Sequence, residues 1–315
     1  VYGFPTKYEN SRWILINEDM FKEAGLDIPY DGWTYSEFLA DAEKLTHGEG
    51  QDKVYGVCWA RKQSGKSILY ALDGVLGANQ IYKNEEGTEV NFDNDVYRAG
   101  LNLVKETLDK GYAIPIEDEF SEDISVANTF LQGKCAIMLG VAQMRLCMDQ
   151  ENYPHDFMTA LVPAPVPDDE KYNTEFYRKQ IGTTGAGDLL SISANTKYPE
   201  ASFEFAMWYL KGGMSPLVQG GRIPLWNGVN KDEVLSVLKE KAQGSIDMDS
   251  MENYLSLDTT QGVAAIKGNA SSEISSAWFE EFDAMCYGKQ SVDQTVQNME
   301  KRGNELIQTE LSSQK

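Results

Sequence analysis

Few residues in this chain combine the type and spacing that chemistry needs. Gly65-Lys66-Ser67 lies between an expected strand and an expected helix, the setting of a phosphate-binding loop. Backbone N–H groups that wrap phosphates need a further glycine where Ala60 stands. The run Gly182-Thr183-Thr184-Gly185-Ala186-Gly187 precedes a strand. A dinucleotide fingerprint has its glycines between strand and helix, so that the pyrophosphate meets the helix dipole. These glycines are therefore expected to allow close backbone approach. Asn91-Phe92-Asp93-Asn94-Asp95 resembles a calcium loop but has no turn glycine, and Asn102 stands where a bidentate Glu belongs. Helix capping is the expected role of that segment.

Nucleophilic and metal chemistry fare no better. There is no Gly-x-Ser-x-Gly elbow and no His-Glu-x-x-His helix. His47 and His155 are the two histidines, so a Ser-His-Asp triad or a histidine-rich metal site would have to use one of them. Cys58, Cys135, Cys147 and Cys286 contain no Cys-x-x-Cys pair, as a zinc site would require. They are expected as buried apolar thiols, with two disulfides possible in an oxidising compartment. No metal and no cofactor are expected. Acids are abundant, so a carboxylate pair for glycoside hydrolysis stays open.

The aromatic residues point to binding. Six Trp and sixteen Tyr exceed what a core of this size requires, and Tyr8, Trp59 and Trp226 fall at expected strand ends or in loops. A sugar ring presents an apolar C–H face to a flat aromatic and a hydroxyl rim to polar side chains. Trp13 and Trp208 lie within apolar elements and are expected in the core, and Trp33, beside a capping box, is expected to pack.

The elements that would position these residues alternate strand and helix. Trp13 to Ile16 reads as a buried strand, followed by a helix that Asn17 caps and Gly25 closes. Thr34-x-x-Glu37 is a capping box for a second helix. Val54 to Ala60 reads as a strand and Lys66 to Leu76 as a helix. Asn94 caps a helix striped with Tyr97, Leu101, Val104 and Leu108. Strands follow at Cys135–Leu139, Phe157–Val162 and Leu189–Ser193, and helices at Pro199–Leu210, Glu233–Ala242, Ser272–Tyr287 and after Ser291. The stretch 244–269 has no clear pattern. This order argues for α/β architecture with a mainly parallel sheet.

The 315 residues carry 28 basic and 49 acidic side chains, a formal charge of −21, which repels nucleic acid and disfavours a basic membrane-binding face. The composition is that of a globular chain, and no run of ~18 apolar residues could span a bilayer as a helix. The chain opens with Val1 and not Met, without a charged n-region, apolar h-region or cleavage site at its start, so either a removed leader or a start partway through a larger protein is expected.

The segments, taken in order, resemble the extracellular solute-binding proteins of family 1, which deliver carbohydrates to ABC importers. The resemblance is carried by Tyr2-Gly3-Phe4-Pro5, by Asn17-Glu18-Asp19-Met20-Phe21-Lys22-Glu23-Ala24-Gly25-Leu26 and by Trp33-Thr34-Tyr35-Ser36-Glu37-Phe38. Phe130-Leu131-Gln132-Gly133-Lys134-Cys135-Ala136-Ile137-Met138 and Gly288-Lys289-Gln290-Ser291-Val292-Asp293-Gln294 extend it along the chain. It implies a periplasmic-binding-protein-like fold of type II, here mostly the second lobe with a partial first lobe and without the N-terminal part of that first lobe. Residues 1–190 would be the main part of the second lobe, 191–268 the remnant of the first lobe with the hinge crossings, and 269–315 closing helices that return to the second lobe.

The resemblance implies no catalysis. It implies instead a mono- or oligosaccharide held between two lobes that close on it, with Tyr8, Glu9, Trp59, Arg61, Gln63, Gln143, Gly185, Asp188, Trp226, Ser275 and Trp278 facing the ligand. Many members have an aromatic after the glycine of the Cys135 strand, whereas here Gly140-Val141-Ala142-Gln143 has none. The implied partners are a carbohydrate and the permease subunits of an ABC importer, with no nucleic acid. A monomer is expected, in the periplasm or on the extracellular face of the cytoplasmic membrane, with membrane contact only through a lipid anchor outside this chain. Two alternatives stand beside it: a carbohydrate-active hydrolase using paired carboxylates, and a peptide- or polyamine-binding member of the same fold.

Overall fold

The computed structural model describes residues 3–8, 13–59, 82–84, 86–121, 126–140, 143–180, 189–213, 215–226, 228–256 and 270–313. The strands are β1 (Phe4–Pro5), β2 (Lys7–Tyr8), β3 (Trp13–Asn17), β4 (Tyr55–Cys58), β5 (Cys135–Leu139), β6 (Thr159–Pro163), β7 (Leu189–Leu190) and β8 (Ile223–Pro224). The helices are α1 (Glu18–Glu23), α2 (Tyr35–Leu45), α3 (Asp95–Asp109), α4 (Ile116–Ser121), α5 (Val126–Leu131) and α6 (Met144–Cys147). After these come α7 (Pro199–Trp208), α8 (Ser215–Val218), α9 (Lys231–Ala242), α10 (Met248–Ser256), α11 (Ser271–Cys286) and α12 (Val292–Ser313).

Local chemistry sets the helix ends. The Asn17 side chain accepts from the Met20 N–H and starts α1, and Gly25, at φ +67°, ends it in the left-handed region that glycine enters without cost. Thr34 and Glu37 close both halves of the capping box on α2. Asn94 accepts from the N–H groups of Val96 and Tyr97 at the start of α3.

A four-stranded sheet in the order β4-β5-β3-β6 forms the centre. Its strands read as continuous apolar runs because both faces are covered. Along β3 the alternation is strict: Ile14 and Ile16 enter one core beneath α2, α3, α11 and α12, while Trp13 and Leu15 enter the other. The result is three layers, helix on sheet on helix. The sheet is mixed, contrary to the parallel expectation: β4 and β5 are parallel, but β3 runs antiparallel to both β5 and β6. Strand–helix alternation specifies layers, and it leaves open the direction from which β3 enters between β5 and β6.

Both sheet edges are covered, which removes templates for further strand pairing. Val57 exchanges bonds with Tyr112 and Ile114 beyond β4, and Thr159 does so with Ser245 and Asp247 beyond β6.

Within the stretch 191–268, two helices pack against the central sheet. Val234, Leu238 and Ala242 of α9 form one stripe, and together with Met251 and Tyr254 of α10 they fill the core behind β3. Tyr254 meets Trp13 edge to face at 5.4 Å. Leu238 is fully buried there and contributes roughly 2 kcal/mol. Residues 231–256 therefore pack as part of the sheet-bearing lobe. Helix α10, with Met248, Met251, Tyr254 and Leu255 on its core side, falls in the stretch in which no clear pattern was expected.

Helix α7 behaves differently. Phe203, Phe205 and Trp208 are largely exposed, Trp208 at 59%, which corrects its expected place in the core. Phe203 meets Phe4 of β1 edge to face at 6.1 Å, and the π-helical turn Tyr209–Gly213 continues the helix.

Candidate ligand-binding site at the chain crossings

Three segments run side by side where the chain enters and leaves the central sheet. Phe4 and Pro5 pair with Leu190 and Leu189, and Lys7 and Tyr8 pair with Pro224 and Ile223, both antiparallel. The Leu225 N–H donates to the Thr6 carbonyl at 3.2 Å, which extends the second ladder toward the first.

The register of the main sheet fixes which of its ends meets these crossings. Trp13 lies opposite Pro163, and Ile14 opposite Leu139. The start of β3, a few residues beyond Tyr8, therefore shares one end of the sheet with the carboxyl ends of β4, β5 and β6. Open α/β sheets take ligands outside such ends. Gln143 follows β5 there and precedes α6, with its N–H bonded to the Gly140 carbonyl at 3.0 Å. Gly221, just before β8, fits the same region: a Cβ on it would lie 2.7 Å from Met148 Cε and 3.0 Å from Arg145 Cβ. Its φ of +77° also requires glycine. The topology thus brings Tyr8, Gln143 and the segment carrying Trp226 to one end of the molecule.

Trp226 is 40% exposed. Close by, a cavity of about 230 Å³ opens between the Tyr209–Gly213 turn, Pro224 and the start of α9, with Lys211 and Glu233 among its lining residues and Val218, Val234 and Val237 as its apolar wall.

Two of the aromatics expected to face the ligand turn inward. Trp59 is 5% exposed; its indole turns inward, packs near Phe38 and donates to Thr107 Oγ1 at 2.8 Å. Trp278 is 1% exposed and stacks on Phe282 with ring centroids 5.4 Å apart, so its face is taken by the core. A large flat ring beside an apolar layer gains more from packing there than from water. Ser275 is half-buried on α11. Glu9, Arg61, Gln63, Gly185 and Asp188 lie outside the described residues, as does the Lys66–Leu76 helix. The sequence reading missed Gly221 and Gly228, although glycines flanking Ile223-Pro224-Leu225-Trp226 are the signal of close approach around an exposed ring.

Among the described residues, Asp41 is the carboxyl group held above its ordinary range, at about 6, chiefly by burial. It stands on α2 among Lys44, Glu37 and Asp27. Burial likewise pushes the Cys147 thiol up to about 12. Cys58 and Cys135 form a disulfide between β4 and β5, where four buried thiols were the first expectation. Among the described residues no His/Cys/Asp/Glu cluster could hold a metal ion, and no helix is long and apolar enough to cross a membrane.

The family model described as bacterial extracellular solute-binding protein matches residues 2–211. Solved structures share the type II periplasmic-binding-protein architecture. An ABC substrate-binding protein from Listeria monocytogenes in complex with cycloalternan has a TM-score of 0.72 at 17% identity, over 98% of this chain and 72% of that one. The sugar-binding protein MalE from Xanthomonas citri gives 0.67 at 18%, over 99% and 72%. An ABC transporter solute-binding protein from Thermotoga lettingae bound with α-D-tagatose gives 0.69 at 17%, over 97% and 72%. At these identities the likeness is one of fold. No curated protein matches.

Proposed function

Because the chain belongs to the bacterial extracellular solute-binding proteins, we propose that it captures a neutral mono- or oligosaccharide at the chain crossings and releases it unaltered to the permease subunits of an ABC importer. The observation that carries this reading is the family match across residues 2–211. Structural neighbours whose bound molecules are a cyclic oligosaccharide and a ketohexose support the ligand class. The ladders that join the crossings pair two residues each, so little backbone bonding resists a change of angle there. Closure on a ligand is then a shift of population toward a form that alone makes the full set of contacts.

Among the described residues, this reading assigns ligand contacts to Tyr8, Gln143 and Trp226, with Trp226 offering a ring face. Glu9, Gly185 and Asp188 adjoin the same crossings in sequence and are assigned to the same face. The Cys58–Cys135 disulfide suits an oxidising compartment outside the cytoplasm. A monomer held at the membrane by a lipid anchor completes the reading, and it performs no chemistry.

Calorimetry against maltose, maltotriose, tagatose and mannitol, with spermidine and a tripeptide as controls, tests the proposal. Heat and a raised melting temperature with a sugar, and no product by chromatography, are the expected result. Binding of spermidine or the peptide alone would replace the sugar reading, and sugar cleavage would replace binding with hydrolysis.

A further inference from the structure

Gly228 stands directly against the ring proposed to meet the sugar. β8 ends at Pro224, and the Val229 N–H donates to the Trp226 carbonyl at 3.0 Å. A Cβ built on Gly228 would lie 2.4 Å from Cζ2, 2.5 Å from Cη2 and 2.8 Å from Cε2 of the Trp226 indole. Real carbon atoms do not approach so closely, so the benzo edge of the indole rests on bare backbone.

The chain that follows is anchored. Asn230 caps α9 by accepting from the N–H groups of Asp232 and Glu233, and Val234, one turn later, is buried in the core behind the sheet. The position of the indole is thereby registered to the sheet-bearing lobe, while 40% of the residue stays open to solvent. A ring fixed before the ligand arrives loses little freedom on binding, which is how pre-organisation strengthens an interaction.

We infer that Gly228 is a positioning residue for Trp226: by leaving out a side chain it seats the indole as a rigid stacking platform on the second lobe, facing an apolar sugar surface. This rests on the sugar-binding reading above, and the test separates the two.

The protein is labelled with 5-fluorotryptophan, and the Trp226 signal among its six tryptophans is identified by its loss in Trp226→Phe. Gly228→Ala should shift that ¹⁹F resonance and leave the other five in place. Maltotriose affinity should fall about tenfold in Gly228→Ala, the loss of one ring contact, and by a similar factor in Trp226→Ala. The double variant should be no weaker than Trp226→Ala alone, because both changes remove one interaction. An unmoved Trp226 resonance overturns the positioning role, and so do additive losses in the double variant. If the unmodified protein binds none of the sugars, the sugar reading falls and the ¹⁹F shift still decides whether Gly228 seats the ring.

Discussion

The Tyr30 hydroxyl donates a 2.7 Å hydrogen bond to Asp247 Oδ2, joining residues 217 positions apart. It ties the connection between α1 and α2 to the segment that edges β6 and enters α10. Burial, and then this bond, raise the phenol above its ordinary pKa. Tyr30→Phe keeps the ring and removes the donor. A loss of about 1 kcal/mol is expected for this half-buried pair, read from urea unfolding. A change of a few tenths at most would show that water replaces the bond at no cost.

Gly56 is held by a backbone contact. A Cβ there would lie 2.3 Å from the Ala42 carbonyl oxygen and 2.8 Å from Ala42 Cα, so α2 lies directly on β4. Backbone on both sides cannot step aside. Gly56→Ala should destabilise by about 3 kcal/mol, with a matching fall in the denaturant midpoint. Wild-type stability in that variant would mean that α2 is seated further out.

Asp41 makes stability depend on pH in a defined direction. Its carboxyl titrates at about 6 in the fold against 3.8 in the open chain, mainly because burial disfavours the charge. Between those two values the folded chain holds a proton that the unfolded chain has released. Stability from this group is complete below about pH 4 and is lost as pH rises through 6. Asp41→Asn should melt with the wild type near pH 4 and above it from pH 6 upward. A gap that does not change with pH would assign the effect to packing.

The cysteines divide into classes by accessibility. Cys58 is bonded to Cys135, Cys147 is fully buried with its thiol raised to about 12, and Cys286 is half-buried. A thiol reagent at pH 8 should label Cys286 alone in the native protein. It should label Cys147 as well after denaturation without reductant, and all four after reduction. Four labelled thiols without reductant would show that the bond does not form.

Much of the fold was legible because its signals are local. Asn17, Thr34 with Glu37 and Asn94 each cap within a few residues, and Gly25 needs only its own φ. The apolar runs of β3 and β5 announced burial on both faces. Tyr8, Gln143 and the segment of Trp226 lie toward one end of the sheet, whereas the rings of Trp59 and Trp278 turn into the core. Nothing next to Trp59 in sequence indicates Thr107, its hydrogen-bond partner in α3.

By itself, the amino-acid order determined the layers, the helix ends, the acidic surface and the family to which the chain belongs, since each depends on residue type and short spacing. Tertiary structure alone decided that β3 enters between β5 and β6 against their direction, that Cys58 meets Cys135, and that residues 231–256 close the core behind the sheet. It also left Trp208 in solvent and laid the indole of Trp226 on Gly228. The physical reason is range: a cap or a stripe is stabilised by neighbours along the chain, whereas a ring's choice between core, water and ligand depends on what distant segments bring against it.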